Sequence, residues 1–189
     1  MANFATRTRG TQGVGSESEV AIYYIVQFRS ARPIREAVVR QVLIQNRYDQ
    51  MDPEQKDSLN KQTQGFLNRN YDDVIVVHVV YGSNVPEYNR DLAAFWQTHY
   101  SEGTVPQEAF LDGPKGRKVT PIRLISPRGG AQEFELIFPR VVDGKPLVEP
   151  GDKTIGVEFV SPALNQVAES RVFVEFKVDK MMLNGQLIY

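Results

Sequence analysis

Hydrophobic and polar residues alternate with a period of two along four stretches of the chain, and each predicts a strand. Val20, Ile22, Tyr24, Val26 and Phe28 share one face of residues 20–29, with Ala21, Tyr23, Ile25 and Gln27 on the other. Phe134, Leu136 and Phe138 alternate with Glu133 and Glu135; Ile155, Val157 and Phe159 with Thr154, Gly156 and Glu158; Val172, Val174, Phe176 and Val178 with Arg171, Glu175 and Lys177. Residues 73–81 (DVIVVHVVY) are apolar on both faces, as a strand covered on two sides would be. Residues 119–126 read as one further strand. Turn chemistry separates these runs at 126–130, at Asp143-Gly144, at Pro150-Gly151-Asp152 and at Asn184-Gly185, the last as a two-residue hairpin.

Between the early strands the period changes to that of helices. Ile34, Val38 and Val42, with Ala37 and Ile44, form a stripe that predicts a helix to about Tyr48. Asp52 as N-cap, Pro53 at the first helical position and Gln55 closing a capping box start a second helix. It runs to about Leu67 on the stripe Leu59, Thr63, Phe66, Leu67. A third is expected from Pro86 to Tyr100, with Tyr88, Leu92, Phe95, Trp96 and His99 on one stripe, ended by Gly103 and Pro106.

About seven strands at this rhythm make the pattern similar to that of immunoglobulin-like sandwiches, although the Cys…Trp…Cys core of true members is absent. The predicted fold is mainly β, α+β overall: an immunoglobulin-like antiparallel β-sandwich in one domain over 19–189. Helical insertions near 33–67 and 86–100 are expected to cover a sheet face or edge. The competing organisation is an α+β N-terminal half beside a smaller C-terminal sandwich, divided near 103–116. Residues 1–18, rich in Thr, Arg, Gly and Ser, read as a flexible tail. Gly10, Gly13 and Gly15 in that tail precede a strand instead of following one, so they do not make a dinucleotide fingerprint.

Composition narrows the class without naming it. The chain has 189 residues, 22 Lys plus Arg against 23 Asp plus Glu, and 41% hydrophobic residues, which excludes a disordered chain and a nucleic-acid binder driven by overall charge. Absence of cysteine excludes disulfides and thiolate metal sites within the chain. The apolar run 74–81 is too short to span a bilayer as a helix. The opening residues lack a secretory h-region. An extracytoplasmic placement is favoured if the chain is a mature fragment, and a cytoplasmic one if Met1 is the true start.

Candidate chemistry is sparse. His78 and His99 are the imidazoles. His78, mid-strand among valines, is expected to be a buried, hydrogen-bonded core residue. His99 closes the aromatic stripe of Trp96 and Tyr88, and Trp96 with His99 is the candidate pocket pair. No metal motif occurs, and no cofactor is expected. Ser58 and Lys61 match S-x-x-K, but the companion motifs are missing. Glu133, Glu135, Glu158 and Glu175 are expected on solvated sheet faces.

Residues 113–132 hold Lys115, Arg117, Lys118, Arg123 and Arg128 with no acid, a candidate contact surface for an anionic ligand or partner. Without an aromatic between Phe110 and Phe134, nucleic acid is disfavoured. Arg29, Arg32, Arg35, Arg40 and Arg47 make a second basic row, whose plain reading is attraction to the acidic start of the second helix. Together these readings favour a non-catalytic binding or assembly module with an unknown protein or anionic partner. The rival is a hydrolase with a dispersed site near His99; a weaker rival binds an anion or nucleic acid through the 113–128 loop.

Overall fold

A computed structural model of the chain describes residues 5–11, 21–98, 108–126, 131–164 and 168–189. It is a mixed α+β fold with three α-helices and antiparallel sheets among those residues. The first large sheet has the order β1 (Ala5–Thr11), β2 (Ala21–Phe28), β3 (Val74–Ser83), β7 (Glu133–Pro139), β6 (Arg123–Ile125). The second has the order β11 (Ser170–Lys177), β10 (Thr154–Ser161), β4 (Phe110–Asp112), β5 (Lys118–Val119). Two small ribbons pair β8 (Val141–Val142) with β9 (Lys145–Pro146) and β12 (Met182–Leu183) with β13 (Gln186–Leu187). The helices are α1 (Arg32–Gln45), α2 (Pro53–Leu67) and α3 (Pro86–Thr98).

The alternating strands bury the face their sequence marks as apolar. Ile22, Tyr24, Val26 and Phe28 are buried on β2, while Tyr23, Ile25 and Gln27 on its other face are half-buried. Their apolar face meets that of the second sheet. Tyr24 lies edge-on to Phe159 with ring centroids 5.1 Å apart, Phe28 edge-on to Phe176 at 4.8 Å, and the Tyr24 hydroxyl is 2.6 Å from that of Ser161. Helix α3 packs on β3 and drives Trp96 into this space, where the indole stacks on Phe134 at 4.0 Å. One hydrophobic cluster thus joins residues from Ile22 to Tyr189.

Local signals act where they were expected. The Asp52 side chain accepts from the Gln55 amide at 2.8 Å and caps α2. Asp143-Gly144 and Asn184-Gly185 have positive φ at both positions, the conformation that two-residue hairpins demand.

Two expectations are corrected. Residues 119–126 are not one strand: β5 belongs to the second sheet and β6 to the first, because Pro121 between them has no amide to continue a ladder. Ala5–Thr11, inside the expected flexible tail, pair with β2, Ala5 opposite Gln27 and Thr11 opposite Ala21. Ladder hydrogen bonds run between backbone groups, so a Thr- and Arg-rich sequence does not prevent the pairing; the rest of 1–18 lies outside the described residues. Helices α1 and α2 follow one another between β2 and β3, and Ile34 of α1 packs against the core. They pack chiefly on each other, and their sole buried residues are Arg35 and Thr63.

Candidate functional site

The outer face of the first sheet and the base of the α1–α2 hairpin meet at a polar cluster. Register places Gln27, His78 and Glu135 opposite one another across β2, β3 and β7, with Glu133 two residues before Glu135 on the same face. Arg29 follows β2 and leads toward α1. Its Nη2 donates to His78 Nδ1 at 2.8 Å. The acceptor role of Nδ1 puts the ring proton on Nε2, which donates to Glu133 Oε2 at 3.0 Å.

These contacts fix what the imidazole can do. His78 is 3% exposed, and burial, followed by the Arg29 charge, lowers its pKa to about 4 against the opposing pull of Glu133. The ring is neutral at pH 7 and both nitrogens are occupied, so it has no free site from which to take a proton from a substrate. Burial also raises the Glu135 carboxyl above its ordinary value, partly offset by Arg29. The expectation of a hydrogen-bonded core histidine agrees with this geometry.

Two cavities flank the Arg29–His78 bond. One, about 140 Å³, is lined by His78, Ile125, Ser126, Ala131, Glu133, Phe134 and Glu135. The other, about 250 Å³, lies along the hairpin and is lined by Arg29, Val38, Val39, Val42, Gln62, Thr63, Phe66 and Arg69. The hairpin is anchored beside it by Arg35, whose Nη1 donates to the carbonyls of Leu67 and Arg69 and whose guanidinium lies 4.9 Å from the Tyr71 ring centre. Burial holds the Arg35 pKa below its ordinary value.

The residues singled out from sequence are dispersed. Trp96 is 1% exposed, and its indole stacks on Phe134 in the core between the sheets. His99 and Arg128 lie outside the described residues, as does the side chain of Lys115. Arg117 donates to the carbonyls of Pro114 and Pro146 and lies 3.5 Å from Asp152. Lys118 bridges to Glu158 at 2.7 Å, and Arg171 bonds the same carboxylate; these cations lower the Glu158 pKa, Lys118 most. Arg123 stands on the other sheet, on β6. Among the described residues no group of three or more His, Asp or Glu side chains is arranged to hold a metal ion.

Sequence reading missed Arg29, Arg69 and Glu133 as partners around His78 and the hairpin base. The available signal was parity, since His78, Glu133 and Glu135 each occupy the outward position of a strand. The chain matches no known family model, no curated protein and no solved structure.

Proposed function

We propose that the chain is a non-catalytic binding or assembly module on a β-sandwich scaffold, and that its α1–α2 hairpin engages a protein partner. The observation that carries this reading is the hairpin's shortage of burial. Two helices of 14 and 15 residues bury only Arg35 and Thr63 and leave Ile44 68% exposed. Helices of this length draw most of their stability from packing an apolar face, and here that face is half open.

The sandwich has its own strand order. In immunoglobulin domains the second and third strands lie in opposite sheets, whereas β2 and β3 pair side by side. The hydrolase alternative has its site near His99, outside the described residues; His78, with both ring nitrogens engaged, supplies no base for it.

A photo-crosslinking residue in place of Ile44, in the full chain within its native host, should give a discrete protein adduct. The same residue in place of Phe173, exposed on the second sheet, should not. Equal labelling from both positions, or none from either, would overturn the reading. So would turnover of an ester, glycoside or phosphate substrate by purified protein.

A further inference from the structure

Building on the binding role just proposed, we infer that the groove along the hairpin is a docking site for an amphipathic protein helix that carries carboxylates at one end. The groove wall is apolar along one line. Val38 and Val42 are four residues apart on α1, Thr63 and Phe66 three apart on α2, so each pair shares a helix face. The Thr63 hydroxyl donates to the carbonyls of Leu59 and Asn60, at 2.9 and 3.0 Å, and is engaged within its own helix. A partner segment with apolar residues at helical spacing matches such a stripe.

Charge supplies the other half of the recognition. Phe66 is bracketed by two guanidiniums, Arg29 at 5.9 Å and Arg69 at 5.6 Å from its ring centre. Arg29 is held by His78, while Arg69 is exposed and makes no ion pair among the described residues. The half-buried Glu135 carboxyl feels the charge of both guanidiniums but makes an ion pair with neither among the described residues.

Residues 29–69 carry eight Lys or Arg against five Asp or Glu, in a chain whose net charge is −1. The acids are distributed unevenly: Asp49, Asp52, Glu54 and Asp57 sit toward the tip, and the base is basic. A helix laid in the groove is therefore oriented, its carboxylates toward Arg69 and any basic end toward the tip.

The test uses the full chain and two labelled 14-residue peptides. Both have Leu at helical spacing; one has three Glu at an end, the other three Lys there. By fluorescence anisotropy the Glu peptide should bind about tenfold more tightly, as charge-assisted contacts of this kind allow, and added salt should erode the difference. Arg69→Glu should reverse the preference, and Val42→Asp should abolish binding of both. Arg171→Glu, on the far sheet, should change neither. Circular dichroism establishes that each variant is folded.

Equal affinities, or an unchanged preference in Arg69→Glu, would overturn the charge-reading groove. Binding of neither peptide while the Ile44 crosslink persists would overturn this inference and leave the binding role standing. A dimer in sedimentation that Val42→Asp disperses would mean that a second copy fills the groove, and would also overturn it.

Discussion

The space between the sheets and the seam between α1 and α2 are both lined with apolar side chains, but they exclude water to very different degrees. Phe28, Val77, Leu136, Ile155 and Phe159 are fully buried between the sheets. Along the seam, Val38, Val39, Val42, Leu59 and Phe66 are each only half-buried. Sheets offer wide faces that close on each other, whereas a two-helix hairpin has one seam and no third layer to cover it. Stability is therefore concentrated in the sheets, and the hairpin is the region expected to open locally most easily.

Trp96→Ala should break the contrast most severely. Removing the indole from between Phe134, Tyr81 and Phe159 leaves a cavity, at a cost of about 3–5 kcal/mol. The shift in urea midpoint of the whole protein measures it, and a shift no larger than that of a hairpin surface variant would contradict the assignment of stability to the sheets.

The polar cluster where the two regions meet should make stability sensitive to pH. His78 titrates near 6.5 when unfolded and at about 4 when folded, so the unfolded chain binds more protons in that window. Stability falls as pH drops from about 6.5 to about 4, by on the order of 3 kcal/mol in all. Glu135 has the opposite sign: its raised pKa makes stability fall as pH rises through and above the ordinary carboxylate range. In Glu135→Gln the His78 slope should appear undiluted, and in His78→Gln, whose amide can still accept from Arg29 and donate to Glu133, it should vanish. Chemical denaturation at a series of pH values separates these outcomes.

Arg35→Ala leaves the carbonyls of Leu67 and Arg69 without their side-chain donor. The expected cost is about 1–3 kcal/mol, confined to the hairpin. Amide hydrogen exchange should accelerate in α1 and α2 and stay unchanged in β3 and β10. Smallest of all, Ile44→Ser should alter global stability by less than about 0.5 kcal/mol, because that side chain is already 68% exposed. A larger thermal shift would mean that the seam extends to the tip of the hairpin.

Much of the architecture was legible residue by residue. The two-residue period of β2, β7, β10 and β11 predicts which side chains are buried, since pleated backbone sends neighbours to opposite faces whatever they pack on. The start of α2 was legible for the same local reason: Asp52, Pro53 and Gln55 need nothing beyond one turn of chain. Trp96 shows where such reading stops. Its stripe marks a buried helix face, but whether that face borders an empty pocket or the aromatic core depends on Phe134 and Phe159, which lie far along the chain. The basic run from Lys115 to Arg128 is continuous in sequence, yet the change of sheet at Pro121 parts Lys118 from Arg123.

The candidate site was the least legible part. His78 could be read as a satisfied core histidine, but Arg29 and Glu133, 49 and 55 residues away, are its partners through strand pairing alone. The sequence by itself determined what lies within a few residues' reach: strand faces, helix caps and turns at Asp143-Gly144 and Asn184-Gly185, all set by backbone geometry and short-range hydrogen bonds. Tertiary structure alone decided which faces meet, that the hairpin buries little of its own surface, and that an arginine, a histidine and two glutamates share one surface. Those outcomes rest on strand register and sheet packing, which sum weak contacts between distant segments and leave no signature in any one of them.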